Sequence, residues 1–162
     1  MYSLPNLRYK YDDLEPFFDA RTMELHHTKH HQAYLDKLNA ALASHPTLRD
    51  KPIEELLARL ETLPSEIQVA VRNHGGGHAN HAFFWQLLSP KPSEQLSPAL
   101  SQLLATFGDL AEFKAQFAEV ALTRFGSGWA WLALTPAGEA ELFSTANQDS
   151  PWLEGKRPLL GL

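Results

Sequence analysis

No cysteine occurs in the 162 residues, so disulfides, thiolate metal sites and cysteine nucleophiles are all excluded. Long hydrophobic runs are missing too: no stretch of 18 apolar residues would span a bilayer. The opening "MYSLPNLRYKYDDLEP" lacks a basic segment followed by an apolar one, so a secretory leader is not expected and a cytoplasmic protein is. Positive charge is in short supply. Fourteen Lys and Arg against nineteen Asp and Glu give a formal net charge of −5, which argues against a nucleic-acid partner. Neither a nucleic acid nor a membrane is expected as a partner. There is no internal repeat and no low-complexity tract.

What the chain does have is apolar content of 44%, enough for one well-buried core or two small subdomains sharing one. It also has histidine, eight in all, every one in the first 81 residues. Four of them stand in "HHTKHH", residues 26 to 31.

Punctuation divides the chain. Asp19 is placed to cap a helix from about residue 20 to 44, which His45-Pro46 ends. A short helix fits 53 to 60, and a second long one fits 65 to 88 with Gly75, Gly76 and Gly77 as its soft centre. Residues 1 to 18, rich in Pro and Tyr, read as an extended arm. After a proline-rich linker at 90–97, helices fit 98–106 and 109–124. Then the period changes: "WAWLALT" and "EAELFST" flank "PAG", which predicts an antiparallel hairpin. The fold class expected is α+β: a helical hairpin domain at 1–89, the linker, and an incomplete α/β domain with a small antiparallel sheet at 98–162.

On the first long helix His26 and His30 are four apart, as are His27 and His31, so each pair shares a face. On the second, His74, His78, His81 and Trp85 follow three- and four-residue steps and share a face with Val71 and Leu88. Imidazole suits Zn, Cu, Fe, Mn or Ni when several donors converge. A single buried histidine is more often a hydrogen-bonded core residue, and periodicity does not choose between the pairs. The apolar arc of Met23, Tyr34, Leu35, Leu38 and Leu42 is centred nearer His27 and His31 than His26. The H-E-x-x-H zinc motif is excluded, because His27 stands where a glutamate base would have to be.

Taken in order, "MELHHTKHHQAY" at 23–34, "RNHGGGHANHAFFW" at 72–85, "RFGSGWAWL" at 124–132 and "STANQDSP" at 144–151 resemble the successive signatures of the iron/manganese superoxide dismutase family. The opening "LPNLRYKYDDLEP" fits as well, and the resemblance runs the length of the chain.

That resemblance implies a superoxide dismutase, an antioxidant oxidoreductase converting superoxide to O2 and hydrogen peroxide at a mononuclear centre. It makes His26 and His81 metal ligands, sets His30 and Tyr34 at the substrate entrance, and makes Trp129 an aromatic wall. Gln148 becomes the glutamine that hydrogen-bonds metal-bound solvent, with Gly77 making room for it from the later sheet. Met23, Gly76, Gly77, Phe84, Gln148 and Asp149 follow the manganese pattern, so Mn is expected, with Fe the alternative. Lys29 and Arg124 are candidates for a positive funnel. The resemblance also implies a homodimer or tetramer, with Phe125 and Ser127 as contacts.

Phe17, His74 and Gly75 depart from the family pattern. After "PLLGL" the family continues with a D-x-W-E-H-A-Y-Y segment that carries a carboxylate ligand and a third histidine ligand, whereas this sequence ends at Leu162. The expectation is therefore a fragment of a dismutase, the alternative being a non-catalytic remnant that binds metal weakly or acts as an interaction module.

Overall fold

The computed structural model describes residues 1–93 and 95–162; Glu94, within the predicted linker, lies outside the described residues. Asp19 caps the first helix as expected, its carboxylate accepting from the Thr22 amide at 2.9 Å. The helical run is not uniform, however. α1 (Ala20–Leu25) opens into a π-helical segment (His26–His31) before α2 (Gln32–Ala41) resumes. The second long run divides in the same way: α4 (Ser65–Ala70), a π-helical segment (Val71–Gly75), then α5 (Gly76–Leu87). Between them lies α3 (Ile53–Ala58).

The two long runs pack as the expected hairpin. Leu38 and Leu42 on one side meet Ile67, Val71 and Ala79 on the other, with Ile53, Leu56 and Leu57 of α3 closing the cluster. The arm before them is extended only over its first residues and turns repeatedly over 11–17. Tyr2 fastens it: its backbone N–H donates to Asn39 Oδ1 and its carbonyl accepts from Asn39 Nδ2, while its hydroxyl donates to the Lys51 carbonyl at 2.7 Å.

Beyond the linker, α6 (Pro98–Leu104) precedes α7 (Leu110–Leu122), which begins with a full capping box between Asp109 and Glu112. β1 (Gly128–Leu134) pairs antiparallel with β2 (Ala140–Ala146), the predicted hairpin. A third strand, β3 (Arg157–Gly161), pairs antiparallel on the other edge of β1, giving the order β2-β1-β3. β3 has no counterpart in the sequence reading, since five residues that include Pro158 do not display an alternating pattern.

As the central strand, β1 is buried on both faces. Ala130 and Leu132 face Phe113 and Phe117 of α7, whereas Trp129 and Trp131 face Phe84 and Trp85 of α5. The architecture is therefore α+β, and the indoles of β1 bring the sheet up to the helical hairpin. No helix among the described residues is long and apolar enough to cross a membrane.

Candidate metal centre

A π-helical turn closes with i→i+5 hydrogen bonds, so it advances less per residue than an α-helix and brings positions four apart closer to eclipse. Within His26–His31, this stacks His26 on His30 with ring centroids 5.4 Å apart and leaves His27 over His31 at 6.4 Å. The two pairs then meet different surroundings. His27 and His31 are buried, while His26 is half-buried and His30 exposed.

The buried pair is used by the fold. His27 Nδ1 meets the Tyr11 hydroxyl at 3.1 Å and its Nε2 meets the Pro5 carbonyl at 2.8 Å. Trp85 donates its indole N–H to His31 Nδ1 at 3.0 Å. An indole nitrogen can only donate, so His31 carries its proton on Nε2 and donates it to His78 Nδ1 at 2.8 Å. Burial, reinforced by the neighbouring His78, holds the His31 imidazole down to about 2, and burial brings His78 to about 4. Both are neutral core residues, His31 with both nitrogens engaged and His78 through Nδ1.

The other pair converges on α5. One ligand atom from each of His26, His30 and His81 lies within 4.8 Å of the other two. His81 is 2% exposed and its Nδ1 is engaged by the Gly77 carbonyl at 2.6 Å, which turns Nε2 toward the cluster. Burial lowers the His81 imidazole to about 3, and burial followed by the neighbouring His30 and His27 lowers His26. Imidazole nitrogens brought this close together suit a divalent cation, and the lowered His26 and His81 favour the neutral, ligating form. Nitrogen-to-metal distances of about 2.1 Å permit donor separations up to about 4.2 Å, so a pair of these donors fits one ion after shifts of less than an ångström, with the third imidazole beside it. No carboxylate joins the cluster among the described residues.

The sheet closes the other side. The Trp129 ring stands edge-on to His81 with centroids 5.2 Å apart, and its indole N–H donates to Gln148 Oε1 at 3.1 Å. Gln148 stands in the turn after β2, next to Asn147, whose φ of 52° is left-handed. The Tyr34 ring lies 5.0 Å from His30 and 5.4 Å from His81. Burial raises its hydroxyl above the usual tyrosine range, partly opposed by a hydrogen bond with the Gln148 side chain.

The glycines divide their work differently from expectation. A Cβ on Gly77 would lie 2.5 Å from ring carbon Cδ1 of Tyr34, so Gly77 makes room for tyrosine. Gly76 makes room for glutamine, since a Cβ there would run into the Gln148 carbonyl oxygen.

Lys29 borders an opening of about 630 Å3 beside His26 and His30. Arg124 stands elsewhere, its guanidinium donating to the Ser144 hydroxyl and carbonyl, beside a separate cavity of about 610 Å3 that Arg72 and Asp149 also line. Sequence reasoning passed over Arg72 and Asn80, which bind the Gln148 turn from the helical side; no local signal marks them. His74, treated as a departure from pattern, has its ring 6.2 Å from that of Tyr34.

Comparison with known proteins accords with this geometry. The family model for "Iron/manganese superoxide dismutases, alpha-hairpin domain" matches residues 1–89, and that for "Iron/manganese superoxide dismutases, C-terminal domain" matches residues 92–162. The chain belongs to the iron/manganese superoxide dismutase family. Among its relatives is the "Superoxide dismutase [Mn]" of Listeria innocua, 54% identical over 165 residues, with 99% of this chain and 80% of the relative covered. That of Bordetella pertussis is 52% identical over 165 residues, covering 99% of this chain and 77% of the relative. Both relatives are of the manganese type, the type that the residues around Gly76 and Gln148 resemble.

Proposed function

We propose that this protein is a superoxide dismutase whose metal, Mn in first place and Fe as alternative, is held by His26 from the first helical run and His81 from the second. Three imidazoles converge from two helices, with Trp129 and its partner Gln148 on the sheet side; that convergence carries the reading. Family membership and manganese-type relatives more than half identical support it. The bound metal supplies the one-electron chemistry, alternating between trivalent and divalent states.

The net reaction joins two superoxide anions and two protons into O2 and hydrogen peroxide, so the protein must admit a small anion and provide protons. His30, exposed and beside Tyr34, flanks the entrance, and Lys29 gives that entrance a positive charge. Tyr34 keeps its proton at working pH, because burial raises its hydroxyl, and so holds a proton beside the site. Gln148 spends its Oε1 on Trp129 and one amide hydrogen on the Tyr34 hydroxyl, which leaves the other amide hydrogen to orient solvent and tune the metal's potential. Trp129 walls the pocket and keeps it dry.

Residues 1–89 form the helical hairpin domain, 90–97 the linker and 98–162 the α/β domain. The protein is cytoplasmic and works as a homodimer or tetramer. Phe125, 97% exposed in the loop after α7, and Ser127, which donates to Asn147 Oδ1 at 2.7 Å, offer contacts to a second copy.

The test is metal analysis and a dismutation assay on wild type, His26→Ala, His81→Ala and His30→Ala. His26→Ala and His81→Ala are expected to lose Mn and activity together, each lost donor weakening binding by at least about 100-fold, beyond the 10- to 100-fold that outer partners contribute. His30→Ala is expected to retain the metal. A protein whose Mn content is indifferent to His81→Ala would refute the assignment.

A further inference from the structure

The Gln148 turn is gripped from the helical side by residues whose side chains are not among the clustered imidazoles. Asn80, fully buried on α5 and adjacent to His81, donates its amide to the Gln148 carbonyl at 3.2 Å and reaches the Asp149 carbonyl at 3.5 Å. About two turns earlier, Arg72 forms a two-pronged pair with Asp149, Nε to Oδ1 at 2.7 Å and Nη2 to Oδ2 at 2.6 Å. From beneath, Trp131 donates to the Thr145 hydroxyl at 2.9 Å, and that hydroxyl donates to the Asp149 carbonyl at 2.7 Å. Gly76 lets the helix approach the turn closely.

We infer that Asn80 and the Arg72–Asp149 pair are positioning residues for Gln148: they fix the distance between its amide and the imidazole cluster by tying the turn to the helix that carries His81. The inference rests on the proposed role of Gln148. Three properties favour it over a merely structural reading. The ties run to the Gln148 carbonyl and to the carbonyl and carboxylate of Asp149, while the Gln148 side chain is left to Trp129 and Tyr34. They cross 68 to 77 residues of sequence, joining the helical hairpin to the sheet at the site. The paired fork of arginine and carboxylate fixes direction as well as distance, which a lysine would not.

Asn80 therefore sets how far Gln148 stands from α5, and Arg72 sets the angle of the turn. Loosening either lets the glutamine withdraw and weakens its bond from Trp129. The indole N–H of Trp129 reports this directly, because it donates to Gln148 Oε1.

The experiment compares Asn80→Ala, Arg72→Met and Arg72→Lys with wild type, together with Leu56→Ala as a destabilised control, an apolar core position that makes no hydrogen bond to the turn. Hydrogen exchange of the four indole N–H groups is followed in the full chain without added metal, and the midpoint potential is measured in the Mn-loaded protein. Asn80→Ala and Arg72→Met are expected to speed exchange at Trp129 about tenfold, the factor expected for losing one or two charge-assisted or buried hydrogen bonds. Trp85 and Trp152 are expected to stay unchanged, and Arg72→Lys to fall between. The potential is expected to shift in the same two variants and not in Leu56→Ala. Unchanged exchange at Trp129, or equal acceleration at all four indoles, would overturn the positioning role. Selective exchange with an unmoved potential would leave the clamp standing and overturn the role of Gln148 on which the inference is built. Arg72→Met keeps the test decisive if Asn80→Ala does not fold, because Arg72 is half exposed.

Discussion

At the scale of the residue, the chain Trp85 to His31 to His78 shows how imidazole is kept neutral inside a helical hairpin. The Trp85 nitrogen, both His31 nitrogens and His78 Nδ1 each have one role, set by the indole that can only donate. Trp85→Phe keeps the ring packing but leaves His31 Nδ1 buried without a donor, a loss of about 1–3 kcal/mol. Urea unfolding should show it as a lower midpoint with an unchanged slope. The same four-residue spacing produced two opposite fates, core for His27 and His31 and cluster for His26 and His30. The apolar arc indicated which pair would be buried, since it pointed at His27 and His31. It could not indicate that the pair on its flank would meet His81, because that meeting depends on a second helix 50 residues away.

At the scale of the element, the interruption of both long helices by π-helical segments decides where side chains point. Extra width at His26–His31 stacks imidazoles, and the Val71–Gly75 segment lies just before the glycines that Tyr34 and Gln148 approach. Gly76→Ala is expected to push the Gln148 turn off α5, since its Cβ would meet backbone rather than a yielding side chain. The cost should be about 1–3 kcal/mol, as for other overpacked sites, and thermal unfolding measures it. Gly126 and Gly138 have no atom within reach of an added Cβ and show that not every glycine here is a matter of space. The Asp19 cap, the helix beginning at Asp109 and the hairpin around "PAG" were legible, because each is closed by local hydrogen bonds. β3 was not, because it is held as a strand by the ladder to β1, including Leu162 bonded both ways to Ala130, rather than by its own pattern.

At the scale of the whole molecule, neutral buried histidines make stability depend on pH. In the folded chain His31, His78 and His81 are held at about 2, 4 and 3 by burial, against an ordinary value near 6.5. Below 6.5 the unfolded chain takes up protons that the folded one refuses, so stability rises with pH through this window and is full above it. Each group withdraws roughly 1.4 kcal/mol per pH unit on the way down. With stabilities of about 5–15 kcal/mol to lose, chelator-treated protein is expected to unfold between about pH 5 and pH 3. Circular dichroism against pH checks this, and Asn or Gln in place of His31 should shift the transition to lower pH.

Sequence by itself determined the elements that close locally: the capped helices, the proline-rich break, the β1–β2 hairpin and, through quoted signatures spread along the chain, the family. It also determined which imidazoles were available. Tertiary structure alone decided which of them meet. Packing of Trp129 and Trp131 against α5 brought Gln148 to the cluster, and the Gly76 approach with the Asn80 and Arg72 ties set its position. The reason is physical: caps and turns are hydrogen bonds between neighbours in the chain, while a metal site is a convergence of side chains far apart in sequence, fixed only when the helices and sheet have buried their apolar faces against one another.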